Sequence, residues 1–323
     1  MQNYHDLMED IMRNGTDQLN TRTGKICRAI VGKQIVYDVY EKFPAVTTKK
    51  LAFKESKGEV LGFFRGYDNA ADFRAIGCHI WDKNANETKA WLENPYRKGI
   101  DDLGRIYGVQ WTRWRDTRLV GFDMFNTLVP GSDYKCLGHI VNPETNSTQW
   151  IIQREINQLE NALRTIITNP SDRRIIISAW NVAELDMMAL VPCHMDYLFV
   201  PFEDTKVLHL VMRIRSWDIF LGAPFNIAST ALILSIMAKL SGYTPGTITI
   251  QATNAHAYSD HFDQIVEQLT REHFELPVLK LSDNVKTVTD MSEIKGIFTR
   301  IEPDDIWLEG YASHAAIKAP MAA

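Results

Sequence analysis

The spacing of hydrophobic and polar positions changes several times along this chain, and each change predicts an element. Residues 4–13 have helical spacing and are followed by the turn pair Asn14-Gly15. Residues 25–39 concentrate β-branched and apolar side chains and predict one or two strands, broken by Phe43-Pro44. Residues 51–64 return to helical spacing with Leu51, Val60, Leu61 and Phe64 inward, and residues 70–76 predict another short helix. The polar stretch NANETKAWLENPYRKGIDD (84–102) carries a proline and a glycine and reads mostly as loop with one helical turn. An insertion is expected at about 115–149, with 119–149 the least patterned part of the chain.

Helical spacing resumes over 150–167. Three apolar runs at 174–179, 193–200 and 207–214 resemble strands of one buried sheet. Residues 224–240 predict a long, apolar, central helix, 247–252 a strand, and 259–272 a helix with alternating polar faces. The tail 311–323 has no clear period. Irregular alternation, without a repeat, a glycine-rich phosphate loop or a dividing linker, predicts one domain over 1–323. Its class is α/β or α+β with a mixed sheet, in preference to a doubly wound Rossmann domain.

Composition narrows the function. A chain of 323 residues can bury a substantial core. No uninterrupted apolar run reaches the roughly 18 residues of a membrane span, so no membrane partner is expected. The opening MQNYHDLMEDIMRNG is amphipathic and acidic, unlike a secretory signal or transit peptide, which sets the expectation of a cytoplasmic protein. A formal charge of −5 speaks against general nucleic-acid binding while leaving room for basic pockets.

The four cysteines, Cys27, Cys78, Cys136 and Cys193, have neither zinc-site spacing nor the density of a disulfide frame. Cys193 stands apart because of its neighbours. It lies in Pro192-Cys193-His194, between the pair Arg173-Arg174 and the segment RIRSWDIFLGAPFNIAS. A thiol attacks as thiolate, which nearby cations favour, and grouped arginines suit a phosphate monoester. The combination predicts a cysteine that attacks a phosphorylated small molecule.

Seven segments carry a wider resemblance. PCHMDYLFV around Cys193, RSWDIFLGAPFNIAS from Arg215, SDRRIIISAWN from Ser171, FPAVTTKK from Phe43, YGVQW from Tyr107, HAYSDH from His256 and the terminal EGYASHAAIKAPMAA together resemble the thymidylate synthase family. They occur in the family's order from Arg22 to Ala323, and NANE…WLENPYRKGIDDLG is similar to a longer proteobacterial form. The resemblance implies a single domain with a large mixed β-sheet flanked by helices. It also implies a homodimer with shared sites, dUMP and 5,10-methylenetetrahydrofolate as substrate and cosubstrate, and no metal.

The same resemblance implies roles for residues. Cys193 would be the nucleophile. Arg22, Arg215 and Ser216 would bind phosphate, with Arg173 and Arg174 reaching in from the partner subunit. Asn226 would read the pyrimidine edge, since an amide both donates and accepts. An Asn there implies dUMP in preference to dCMP. His256 and Tyr258 would bind the sugar hydroxyl, with Ala257 and Trp217 in the same substrate-binding set. Glu59, within KGEVLGFF, would handle protons near the base O4, helped by Tyr107 and His194. Asp218 would bind the pterin, and Ile80, Trp81, Leu221, Gly222, Phe225 and Ala322 would enclose the folate.

Asn84, Ile214, Leu198, Trp217, Asn254 and Ala52 depart from the commonest residues of the family. These changes bear on the last chemical step. Water reaching the exocyclic methylene would make the chain a dUMP hydroxymethylase, the alternative to thymidylate synthase.

Overall fold

The computed structural model describes residues 1–21 and 23–320. In chain order the elements are α1 (Gln2–Asn14), β1 (Thr16–Asn20), β2 (Lys25–Asp38), α2 (Phe53–Phe64), α3 (Ala70–Ala75), α4 (Asp82–Asn86), α5 (Lys89–Leu92), α6 (Tyr107–Thr112) and β3 (Trp114–Val120). There follow α7 (Phe122–Leu128), β4 (Lys135–Val141), β5 (Thr148–Ile156), α8 (Gln158–Thr168), β6 (Ile176–Ser178), β7 (His194–Phe202) and β8 (Val207–Asp218). The chain continues with α9 (Gly222–Ser241), β9 (Thr244–Tyr258), α10 (Phe262–Leu269), β10 (Val278–Leu281) and β11 (Ile306–Glu309).

The main sheet has the order β1-β2-β9-β8-β7-β6, with every neighbouring pair antiparallel except β8 and β9, which are parallel. A parallel pair needs a crossover of about a dozen residues or more, and α9 supplies it. Its apolar residues run all round the helix, as expected for a fully enclosed one. Although α9 is long and apolar enough to cross a bilayer, 83% of its most apolar window is buried inside the fold. Gly242, at φ 74°, ends it in the left-handed conformation that glycine tolerates best.

The segment Val46–Leu51 is pinned by the far end of the chain. Tyr311 Oη donates to Val46 O at 2.7 Å and accepts from Leu51 N–H at 2.8 Å. His314 N–H donates to Thr47 O, and Arg271 Nη1 donates both to Thr48 O and to Ala315 O.

Several sequence expectations need correction. Residues 150–156 extend a strand and not a helix; α8 begins only after Asn157, whose side chain accepts the Glu160 N–H as an N-cap. The weakly patterned 119–149 contains β4, α7 and parts of β3 and β5. The sheet β3-β5-β4 has its own small core of Val120, Tyr134 and Ile152. Its pattern is faint because β4 is almost wholly exposed, so no hydrophobic period marks it. Residues 84–102 hold two short helical pieces, parts of α4 and all of α5, tied to the following loop by Arg74 and Asn86 on Asp101. β1 is polar and exposed and was not anticipated, and the expected strand 247–252 is the middle of the longer β9. The expected helix 259–272 is a short 3-10 turn followed by α10.

Helix α6, which carries Tyr107, approaches α2 closely enough to exclude a side chain at Gly108. A Cβ there would lie 2.6 Å from the Cα and carbonyl oxygen of Phe63. Backbone cannot yield as a flexible side chain can, so Gly108→Ala should lower stability by about 1–3 kcal/mol. A reduced urea midpoint with an unchanged slope would show it, and an unchanged midpoint would contradict so close a packing.

Candidate active site

Cys193 stands immediately before β7 and is half-buried. Its N–H donates to Tyr107 Oη at 2.6 Å, and its carbonyl accepts the Arg215 N–H at 2.9 Å. The Arg215 guanidinium holds the approach to the cysteine through Nε to Pro192 O at 2.9 Å and Nη2 to Val191 O at 3.2 Å. It also lies 5.5 Å from the centre of the Trp180 ring. Those bonds use part of the fork of five donors, so the same side chain can organise the backbone and meet an anion. The guanidinium is thus fixed against the backbone that leads into the thiol-bearing residue.

Behind the cysteine is an aromatic stack. Tyr107 lies between Phe63, with ring centres 5.0 Å apart, and His194, 4.2 Å away. Trp111 and Tyr197 close the other sides of His194. Burial pushes His194 down to about 3, so its ring is neutral at physiological pH. Burial, and then the neighbouring Cys193, push the Tyr107 hydroxyl well above its usual range, so it remains a proton donor.

Glu59 projects from α2 into the same region. Burial raises its carboxyl from 4.5 to about 7; the Trp81 indole opposes the rise and the Glu55 charge adds to it. The Glu59 charge is felt in turn by Tyr107, Tyr197 and Cys78, which puts the carboxylate among these groups. A carboxyl that titrates near neutrality can both give and take a proton. Trp81 packs edge-on to Phe63 and Tyr107, with Ile80 half-buried beside it.

The parallel β8–β9 pair sets a second group. Ser216 is level with Asn254, and Asp218 with His256, while β2 brings Ala29 to His256 and Cys27 to Tyr258 on the far side of β9. His256 Nδ1 is 2.9 Å from Asn254 Oδ1, and the His256 ring stands at 87° to Tyr258. Ala257 is fully buried, leaving only its backbone to offer polar atoms. Trp217 is 1% exposed and its Nε1 has no hydrogen-bond partner; on strand β8 its side chain takes the face opposite to Ser216 and Asp218, packed in the core.

Asp218 shapes the entry to α9. Its Oδ1 accepts the N–H groups of Phe220 and Leu221, at 2.9 and 3.2 Å, and Oδ2 takes part in neither bond. Leu221, Gly222, Phe225 and Asn226 follow on the first turn, all half-buried. α2 meets α9 one turn further on, where the Ser56 and Ser229 hydroxyls are 3.1 Å apart. Glu59 and Asn226 are each three residues from that contact, on the two helices that it joins.

Arg173 and Arg174, expected to serve the partner subunit's site, are not brought to the pocket of their own chain. Both are exposed before β6, level with the far end of β7 and more than roughly 20 Å along the strand from Cys193. Arg174 is held by Asp172. Arg22 and Ala322 lie outside the described residues. Sequence reasoning passed over two buried polar groups. Lys49 is 7% exposed, with Nζ 2.5 Å from Phe220 O and burial pushing it down to about 7. Tyr197 is 1% exposed beside His194. Both lie within quoted segments, but only burial distinguishes them from ordinary strand and loop residues.

A cysteine whose flanking backbone is held by an arginine, near a carboxyl poised near neutrality, is an arrangement suited to a transferase that works through a thiol. A family profile described as thymidylate synthase matches residues 2–323. The chain is 42% identical to the thymidylate synthase of Pseudomonas putida and 41% identical to that of Bordetella parapertussis, in both cases over the whole of both chains. It is 36% identical to the thymidylate synthase of Haemophilus influenzae over 99% of each. This chain belongs to the thymidylate synthase family, and the large mixed sheet flanked by helices agrees with that fold.

The Glu59 environment has a measurable sign. Its folded-state proton affinity lies above the unfolded value, so the stability carried by that proton is complete below about pH 4.5 and lost as pH rises through about 7. Glu59→Gln stays neutral throughout. The variant should therefore gain stability relative to the parent between about pH 5 and about pH 8. Urea midpoints at the two pH values would test this, and an equal difference at both would exclude the raised carboxyl.

Proposed function

We propose that this enzyme converts dUMP to dTMP with 5,10-methylenetetrahydrofolate as donor of both the carbon and the hydride. The observation that carries the reading is the doubly held Cys193: Tyr107 on its N–H, Arg215 on its carbonyl and on the two residues before it. The thiolate adds to C6 of the uracil, which makes C5 nucleophilic toward the folate methylene. The C5 proton then leaves and the folate nitrogen is expelled as tetrahydrofolate, which forms the exocyclic methylene; hydride from that tetrahydrofolate adds to the methylene as the Cys193–C6 bond breaks, giving dTMP, dihydrofolate and the free thiolate.

In this scheme Arg215, Ser216 and Arg22 bind the phosphate, and Asn226 reads the pyrimidine edge. His256 and Tyr258 hold the sugar hydroxyl. Glu59, whose carboxyl titrates near 7, moves protons at O4 and C5 with Tyr107 and His194 beside it. The Asp218 Oδ2 oxygen meets the pterin, between Ile80 and Trp81 on one side and Leu221, Gly222 and Phe225 on the other. Arg173 and Arg174 are too far from Cys193 of their own chain, which supports a symmetric dimer in which each subunit completes its partner's phosphate site.

Three outcomes test this. Incubated with both substrates, the enzyme should yield dTMP and dihydrofolate in equal amounts; 5-hydroxymethyl-dUMP with tetrahydrofolate would mean that water quenches the methylene. Cys193→Ala should lose turnover yet retain dUMP binding, and retained turnover would remove the covalent route. Mixing inactive Cys193→Ala with inactive Arg173→Ala protein should restore activity as subunits exchange. No recovery, despite exchange shown by native mass spectrometry, would count against shared sites.

A further inference from the structure

Helix α6 sets Tyr107 against Cys193, yet its six residues are too few to hold a helix by themselves. A buried carboxylate on another segment orients it. Glu184, 6% exposed, belongs to a 3-10 turn at Val182–Met187 that leads toward Cys193. Its Oε2 accepts from Arg105 Nε at 2.5 Å, Gln110 Nε2 at 2.8 Å and Asn181 Nδ2 at 3.3 Å. Its Oε1 accepts from Arg115 Nη1 at 3.3 Å, which brings the first strand of the small sheet to the same group.

Two of these donors grip α6. Arg105 precedes the helix, and its Nη2 donates at 2.7 Å to the carbonyl of Arg113, just past the last turn. Gln110 lies within the helix; its Nε2 also donates to Arg105 O at 2.9 Å, and its Oε1 accepts from Asn181 Nδ2 at 3.1 Å. The backbone repeats the junction. Arg105 N–H donates to Met187 O, and Ala189 N–H donates to Leu103 O only four residues before Cys193. Between them Gly104 approaches so closely that a Cβ would lie 2.1 Å from Met187 O. A carboxylate taken out of water needs partners for its charge and its lone pairs, and Arg105 with the two amides supplies them. Removing the charge would leave Arg105 without its counterion.

We infer that Glu184 is a positioning residue: by joining α6 to the turn that leads into Cys193, it sets the distance between the Tyr107 hydroxyl and the cysteine. The contact it governs is the Cys193 N–H on Tyr107 Oη at 2.6 Å. The consequence deepens the reading given above and rests on it. With Oη accepting from the backbone, Tyr107 keeps its own proton to give at the pyrimidine, and the aim of that proton follows the helix that carries it.

The test reads the contact first without substrate. Labelling the full-length protein with ¹⁵N-cysteine gives one backbone amide signal for each of its four cysteines. Cys193→Ala identifies the signal of Cys193, and Tyr107→Phe shows where it moves when its acceptor is lost. Glu184→Gln should move it toward that position and leave the signals of Cys27, Cys78 and Cys136 in place. Arg105→Lys keeps the buried charges balanced but cannot reach Glu184 and the Arg113 carbonyl together. It should act in the same way, and it supplies the readout should Glu184→Gln not fold. A stationary Cys193 signal overturns the proposal. In turnover, either variant should lower kcat about 10- to 100-fold with KM for dUMP unchanged. In a Tyr107→Phe background the same substitution should change kcat by less than about twofold, because the group that it positions is gone. An undiminished loss there would make Glu184 a general support of the fold and refute the role. The spectra need no substrate, so a moving Cys193 signal in a protein that makes no dTMP would refute the reaction and leave the positioning standing.

Discussion

The parallel pairing of β8 with β9 is the constraint on which the site depends. Parallel neighbours cannot be joined by a tight turn, so the chain must leave the end of β8, cross the sheet and return beside it. The crossover is α9, and its start falls where the strand ends. Asp218 therefore closes β8 and caps the turn into α9 with the same carboxylate. Ser216 and Asp218 come level with Asn254 and His256, and Asn226 rises one turn above them. Residues separated by up to 40 positions are gathered because a parallel ladder permits no shorter path.

Burial does the remaining tuning. Removing water from Glu59, His194, Tyr107 and Lys49 favours the neutral form of each, so the carboxyl rises and the imidazole and amine fall. Arg215 escapes that pressure because a guanidinium keeps its charge, and it is set against backbone carbonyls, which stabilise it. Among the described residues the pocket thus combines the permanent cation of Arg215 with several groups whose protons are held loosely or tightly according to depth. That division suits the proposed reaction, in which an anion would be held by a fixed charge while protons move.

The main core elements were legible from hydrophobic period because they have one or two apolar faces: α1, α2, β2, β7, β8 and α9 all fall where the spacing indicated. Legibility failed where burial was slight. β4 is exposed along nearly its whole length, and β1 is a polar edge, so neither leaves a period to read. At 150–156 two adjacent isoleucines fit helix and strand alike, and only the cap at Asn157 marks where the helix starts. In the site, Cys193 and Arg215 announced themselves by charge and by motif. Tyr197 and Lys49 did not: Tyr197 matters through burial beside His194, three residues away in sequence, and Lys49 through its contact with the distant Phe220 carbonyl.

β2 pairs along its length with β9, matching Cys27 to Tyr258 and Asp38 to Thr247. Those partners are more than 200 residues apart, so during synthesis β2 emerges long before its neighbour exists. At ordinary ribosomal speeds that interval is roughly 10–45 s. Throughout it β2 can pair only with β1, and its other edge is an open template for wrong partners. Cys193 and Arg215 leave the ribosome before β9, whereas His256 and Tyr258 belong to β9 itself. A nascent chain therefore holds Cys193 and Arg215 before it has a finished sheet in which to place them, and the order of translation becomes one of the conditions for a complete pocket.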